Sequence, residues 1–60
     1  MNRPIYAHIL DVIHGYASII DLYNVARALP VCRGRRLVRE ACAYGVISPL
    51  RMRAWLAVIE

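Results

Sequence analysis

The sequence predicts an all-α protein of four short helices, arranged as two antiparallel helical hairpins that pack as a dimer. Apolar residues recur at the three- and four-residue spacing of amphipathic helices. No segment shows the strict alternation that is typical of a half-buried strand. Gly15, Pro30, Gly45 and Pro49 fall between the periodic segments, where helices are expected to end or begin. Sixty residues allow one small domain, predicted over residues 1–60.

Pro4 is predicted to lie in the first turn of the first helix, a position that proline favours. Ile5, Ile9 and Ile13 recur on one face at helical spacing. We expect this face to enter the core, with Ile9 and Ile13 as core residues. Gly15 is expected to end the helix in the left-handed conformation that glycine adopts most readily.

The second predicted helix starts at Ser18. Together with Asp21, Ser18 forms a short-acid version of the capping box, in which each side chain bonds the backbone N–H of the other residue. The helix ends before Pro30, because the residue that precedes a proline is disfavoured in the helical conformation. Its predicted core side chains are Leu22, Val25 and Leu29.

The third predicted helix runs from about Gly34 to Tyr44, and Gly45 ends it. Leu37 and Ala41 lie on its apolar face at helical spacing and are predicted to be core residues. The arginines of this segment are expected to face outward.

The fourth predicted helix begins at Ser48 and Pro49, a strong start signal, and is expected to run to the end of the chain. Its predicted core side chains are Met52, Trp55, Leu56 and Ile59. A second apolar strip on the other side consists of Leu50, Ala54, Ala57 and Val58. Because a helix that is apolar almost all round is typically buried, we predict that this strip is the interface of a homodimer.

The two halves of the chain carry a similar loop sequence. Residues 15–18 and residues 45–48 both have the form Gly-x-x-Ser and lie 30 residues apart. This spacing predicts an internal pseudo-repeat of about 30 residues. The same residues are also good loop chemistry between any two antiparallel helices, so both interpretations stay open.

The composition is unusually apolar for a chain of this size. Hydrophobic residues make up 60% of the sequence, against roughly 45–50% in ordinary soluble domains. So small a body cannot bury that much apolar surface, which favours association with a second copy. No apolar run reaches the ~18 residues of a transmembrane span, and no secretory signal is evident. We therefore expect a cytoplasmic protein in which Cys32 and Cys42 are reduced thiols.

All eight basic side chains are arginine. The planar arginine fork offers five donors that suit carboxylate or phosphate groups. Several arginines fall near predicted helix starts, where the positive end of the helix disfavours cations unless an anion binds. We expect an acidic protein or DNA to bind a stripe formed by Arg33, Arg35, Arg36, Arg39, Arg51 and Arg53. A solvated face that keeps a sticky protein in solution is the alternative.

The segment from Leu37 to Trp55 resembles a helix-turn-helix. In that motif the second helix enters the major groove of DNA, and Arg51 and Arg53 would contact the bases. Arg51 occupies a position that is usually apolar, and most of the following helix lacks polar side chains. A plain helical hairpin is therefore the alternative interpretation.

The residues that could carry chemistry are few. No nucleophile with a base, no glycine-rich phosphate loop and no metal-ligand spacing occurs in the sequence, so we expect no enzymatic activity, no cofactor and no metal. Binding to a membrane surface is disfavoured, because the basic and apolar residues do not share one long amphipathic helix. The sequence favours a small interaction or regulatory protein, of the accessory type found in bacteria and phages, that dimerises and binds an acidic partner protein. A small DNA-binding regulator is the alternative.

Overall fold

The computed structural model describes residues 3–59 and contains four helices. They are α1 (Ile5–Ile13), α2 (Ile19–Ala28), α3 (Val31–Ala43) and α4 (Pro49–Val58). Within the described range there is no β-strand, which confirms the predicted all-α fold class. Glu60, to which the fourth helix was expected to extend, lies outside the described residues, and α4 ends at Val58.

Helix α3 is the centre of the fold, because it contacts each of the other three helices. Its apolar side chains Leu37, Val38 and Ala41 have no solvent exposure. They recur at three- and four-residue spacing, so they form one inward face although the helix carries four arginines. The remaining buried core residues come from the other segments and are Ile9, Leu22, Ala26, Ile47 and Ile59.

The other predicted core residues lie mostly at the edge of this cluster. Five of them are partly buried and pack against it, namely Val25, Leu29, Met52, Trp55 and Leu56. Ile13 is different: 48% of its surface is exposed, which corrects its assignment to the core. At about 100° per residue, Ile13 falls beside Tyr6 rather than between Ile9 and Val12, and Tyr6 is also half-exposed.

The α1–α2 and α3–α4 loops are built in the same way. Gly15 and Gly45 adopt the left-handed conformation, with φ of +81° and +78°. The N–H of each glycine donates to the carbonyl three residues earlier, and the next N–H donates to the carbonyl five residues before it. This pair of bonds satisfies the last carbonyls of α1 and α3 and forms the Schellman arrangement. Both glycines therefore end their helices as the sequence predicts.

The starts of α2 and α4 are also equivalent. Ser18 and Ser48 are the N-caps, and each hydroxyl accepts a bond from the backbone N–H three residues later. At α2 the capping box is complete, because Asp21 accepts bonds from the Ser18 N–H (2.9 Å) and hydroxyl (3.1 Å). These bonds, the backbone one foremost, lower the pKa of Asp21. At α4 the equivalent position is Arg51, which cannot close the box.

Helix α3 begins at Val31 rather than near Gly34, which corrects its predicted start. Pro30 is the N-cap, and the Gly34 N–H donates to the Pro30 carbonyl (2.9 Å) inside the first full turn. Gly34 is buried where α2 crosses α3, and a Cβ there would overlap the carbonyl oxygen of Ala26. Glycine is thus required for a close helix contact, not for a helix boundary.

Candidate partner-binding groove

A groove of about 450 Å³ lies between α1 and α3. We call it the α1–α3 groove. The first side of its lining consists of Pro4, Ile5, Tyr6 and Ile9, and a second wall on α3 consists of Arg33, Arg36, Glu40 and Tyr44. The four residues of the second wall are spaced by three or four positions along α3, which places them on one side of that helix. A volume of this size falls within the range of about 300–1,000 Å³ that is typical of ligand sites.

Two tyrosines stand together at one end of this groove. The rings of Tyr6 and Tyr44 have centroids 5.5 Å apart and planes tilted by 47°. Half of each tyrosine surface is exposed. Between the two walls, Ile9 is fully buried and Ile5 is partly buried, so the groove has an apolar floor. Exposed aromatic rings over an apolar floor suit the packing of an incoming side chain.

Arg33 is half-buried and, together with Arg36, forms the charged end of the groove. One terminal nitrogen donates to the Arg3 carbonyl (3.3 Å). Its Nε is buried and has no hydrogen-bond partner among the described residues. A buried donor without a partner is destabilising, so this Nε is a local cost of the position that Arg33 takes. Arg36, one turn further along α3, is exposed.

The charged end of the groove has a cationic neighbourhood. Burial lowers the pKa of His8, and the positive charges of Arg3 and Arg33 lower it further, against the opposing effect of Asp11. The neutral form of His8 is therefore favoured over the charged form. Arg3 donates to Asp11 across 2.6 Å, and this bond lowers the pKa of the Asp11 carboxyl.

The Arg3–Asp11 contact is the one ion pair found within residues 3–59. None of the six arginines predicted to bind a partner reaches a carboxylate in this part of the chain. Arg36, Arg39, Arg51 and Arg53 are exposed. Their guanidinium groups are therefore open to an anion from outside.

Arg35 has a different position from its neighbours. Its Nη1 donates to the carbonyl oxygens of Leu56 (2.9 Å) and Ile59 (2.8 Å), at the C-terminal end of α4. A cation at this end of a helix is favoured by the negative helix terminus and by the carbonyls that lack helical partners. The Arg35 side chain is therefore bound within the fold, and we exclude it from the predicted arginine stripe.

The revised start of α3 also corrects the argument from helix ends. Only Arg33 and Arg51 occupy a first helical turn, whereas Arg36, Arg39 and Arg53 lie beyond it. The electrostatic penalty at a helix start falls off within that turn. The groove thus combines Arg33 and Arg36, while Arg39 lies outside its walls and Arg51 and Arg53 belong to α4.

The predicted dimer strip lies on the outer side of α4. Leu50 is 78% exposed, Val58 is 54% exposed, and Ala54 and Ala57 are also exposed. The opposite side of α4 packs inward, where the Trp55 ring lies 5.0 Å from the ring of Tyr23 on α2. In the monomer, α4 is therefore a surface helix with one packed face rather than a buried helix.

Tyr6, Glu40 and Tyr44 line the groove but were not among the residues predicted to bind a partner. The spacing of Arg36, Glu40 and Tyr44, four residues apart on a helix, was the signal for a shared face. Their pairing with α1 depends on how the helices pack, which no local pattern encodes.

The chain matches no known protein family, no curated protein and no solved structure. Within residues 3–59, no helix combines the length and the apolar character that crossing a membrane requires. In the same range, no group of three or more histidine, cysteine or acidic side chains is placed to hold a metal ion.

Proposed function

We propose that this protein is a small, non-enzymatic helical interaction protein that binds an acidic partner protein through the arginines of α3. The observation that carries this proposal is that Arg33, Arg36 and Arg39 have no carboxylate partner among the described residues. Two of them line a groove that also offers tyrosine rings and an apolar floor. Arginine with exposed aromatics is the composition of protein-binding hot spots.

A regulatory role follows from the same arginine surface of α3. A partner that is held by several charge-assisted bonds can be recruited or blocked by a chain this small. We propose that two copies, each folded as two helical hairpins, pair through Leu50, Ala54, Ala57 and Val58. Such a dimer would present two α3 surfaces and a formal charge of twice +4. An accessory regulator of the bacterial or phage type that acts in the cytoplasm would have this form.

A DNA-binding regulator is the second candidate, and the exposure of Arg51 and Arg53 near the start of α4 favours it. Two observations weigh against it. The outer side of α4 exposes Leu50, Ala54 and Ala57, which cannot exchange hydrogen bonds with base edges. In addition, a net charge of +4 is modest for a protein that must neutralise several phosphates.

The acidic-partner proposal predicts a specific pattern of variant effects. We expect a fluorescein-labelled polyglutamate peptide to bind at low salt. The triple variant Arg33→Ala, Arg36→Ala, Arg39→Ala should bind more than about tenfold more weakly, since three charged donors are removed. Fluorescence anisotropy measures both affinities, with a labelled DNA duplex as the second probe.

The matched control is the double variant Arg51→Ala, Arg53→Ala. It should leave peptide affinity within about twofold, because Arg51 and Arg53 lie on α4, outside the groove, and isolated surface charges contribute little. If this double variant instead loses DNA binding while the triple variant keeps peptide binding, the DNA-binding alternative holds and the acidic-partner proposal is wrong.

The dimer predicts a difference between two equivalent exposed residues. Leu50 on α4 and Ile20 on α2 both occupy the second position of a ten-residue helix, and they are 78% and 71% exposed. Aspartate is favoured at this position, so both helices should remain folded. Leu50→Asp should convert a dimer to the 6.8 kDa monomer, since it places charges in an apolar interface. Ile20→Asp should leave the dimer intact.

Sedimentation equilibrium at micromolar concentrations measures this outcome. A wild-type mass equal to one chain would contradict the dimer. Equal dissociation of both variants would show that the interface is not the outer side of α4.

A further inference from the structure

We propose that the α1–α3 groove binds a short acidic peptide segment in which an aromatic or large aliphatic side chain lies next to the carboxylates. This inference rests on the proposed function and specifies the part of the acidic partner that is recognised. Its basis is a division of the groove into a cationic end, formed by Arg33 and Arg36, and an aromatic end, formed by Tyr6 and Tyr44.

The cationic end is suited to carboxylate groups. Arg33 and Arg36 are three residues apart on α3, so their side chains share one side of the helix. Arg33 lies in the first turn of α3, where the positive end of the helix adds to the attraction for an anion. Planar guanidinium groups bind carboxylates through two parallel hydrogen bonds.

The aromatic end is suited to one large apolar side chain. An enclosed apolar cavity of ~150 Å³ already holds a benzene ring, so a groove of about 450 Å³ has room for a side chain and the adjoining backbone. Ile9 provides a fully buried floor, and the contacting rings of Tyr6 and Tyr44 together provide one half-exposed aromatic surface against which the side chain packs. An apolar side chain placed there would cover surface that is now exposed to water.

Glu40 determines which end of the groove receives the carboxylates of the segment. It stands on the α3 wall between Arg36 and Tyr44. Its carboxylate repels a second carboxylate at the aromatic end and tolerates an uncharged side chain there. The carboxylates of the segment are therefore directed to Arg33 and Arg36, and the apolar side chain is directed past Glu40 to the tyrosines.

The same arrangement disfavours a nucleic-acid strand. A phosphate chain carries charge at every residue and would pass Glu40 with its charges unpaired. Single-stranded nucleic acids also stack their bases on open aromatic platforms. Tyr6 and Tyr44 contact each other at a centroid separation of 5.5 Å, so no base fits between the two rings.

The test uses a fluorescein-labelled peptide of consecutive glutamates followed by one phenylalanine, and a matched peptide in which serine replaces phenylalanine. We expect the serine peptide to bind wild-type protein about tenfold more weakly, because burial of the aromatic ring is lost. This comparison changes nothing in the protein and cannot be confused with unfolding. Equal affinity of the two peptides would overturn the assignment of the aromatic end.

Protein variants test the cationic end with the phenylalanine peptide. Arg36→Ala should weaken binding about tenfold, whereas Arg53→Ala, which lies outside the groove, should change it by less than about twofold. Glu40→Gln should narrow the difference between the glutamate–phenylalanine peptide and one of glutamate alone. Circular dichroism confirms that each variant is helical.

The outcomes separate this inference from the proposed function. Equal loss in Arg36→Ala and Arg53→Ala would show diffuse attraction, so the protein would still bind acidic partners and the groove assignment would be wrong. Absence of binding to any glutamate peptide would contradict both the groove assignment and the proposed function. Tighter binding of a labelled oligothymidylate that is lost in Tyr6→Ala would replace the peptide with a nucleic acid.

Discussion

Replacing Gly34 with alanine is expected to lower the free energy of unfolding by about 3 kcal/mol, at the upper end of typical overpacking costs. The added Cβ would overlap the carbonyl oxygen of Ala26 and lie 3.4 Å from Cγ2 of Ile59. The first of these atoms belongs to the backbone of α2 and cannot rotate away as a side chain would. The α2–α3 contact, on which the core is built, must therefore open.

The sign of this effect separates two explanations of the same glycine. Helix propensity alone predicts that Gly34→Ala stabilises the protein by up to about 1 kcal/mol. The matched control is Ala43→Gly, which exchanges the same residues at the exposed last position of α3 and should destabilise by less than about 1 kcal/mol. Urea unfolding at one protein concentration measures both, since the proposed dimer would make stability depend on concentration. A Gly34→Ala protein more stable than wild type would contradict the close contact.

Arg35→Met is expected to lower the free energy of unfolding by about 2 kcal/mol, because a charged donor to two carbonyls is removed. The Nη1 bonds to Leu56 and Ile59 are 2.9 and 2.8 Å long and partly buried. Methionine keeps much of the aliphatic stem, so the change isolates the hydrogen bonds from the packing. The amide protons of α4 should also exchange faster with solvent, since the last turn loses its cap.

Arg39→Met is the matched control for this change. Arg39 is exposed on the same helix, and its replacement should alter stability by less than about 0.5 kcal/mol. If the two variants unfold at the same denaturant concentration, the Arg35 bonds to the end of α4 do not stabilise the fold. Arg35 would then count among the arginines available to a partner.

Helix ends were predictable because their chemistry is local. The left-handed Gly15 and Gly45 and the N-caps Ser18 and Ser48 depend on residues within one turn of each boundary. The apolar spacing of α3 likewise predicted Leu37 and Ala41 as core residues, and both have no solvent exposure. Local rules therefore account for the number of helices and most of their limits.

Features that depend on packing between helices were not predictable in the same way. Gly34 resembled a boundary because glycine weakens an isolated helix, whereas its role is set by the carbonyl of Ala26 on another helix. Ile47 is 4% exposed although it lies in a loop, because the chain between α3 and α4 folds back over the core. Arg35 carries the same side chain as Arg36, and only the end of α4 distinguishes them.

The position of α3 links stability to the proposed binding activity. One side of this helix holds the core through Leu37, Val38 and Ala41, and another side carries Arg33 and Arg36. Because the core fixes the backbone of α3, the two arginines are held at a constant spacing relative to Tyr6 on α1. A binding segment then meets a largely preformed groove and loses less affinity to ordering of the protein.

The most direct test of the central claim is an NMR titration of ¹⁵N-labelled protein with the glutamate–phenylalanine peptide. We predict that the backbone resonances with the largest shifts belong to Tyr6, Arg33, Arg36, Glu40 and Tyr44, which line the α1–α3 groove. The resonances of Arg51 and Arg53 should shift little. Largest shifts at the start of α4, or small shifts spread over every arginine, would contradict the account.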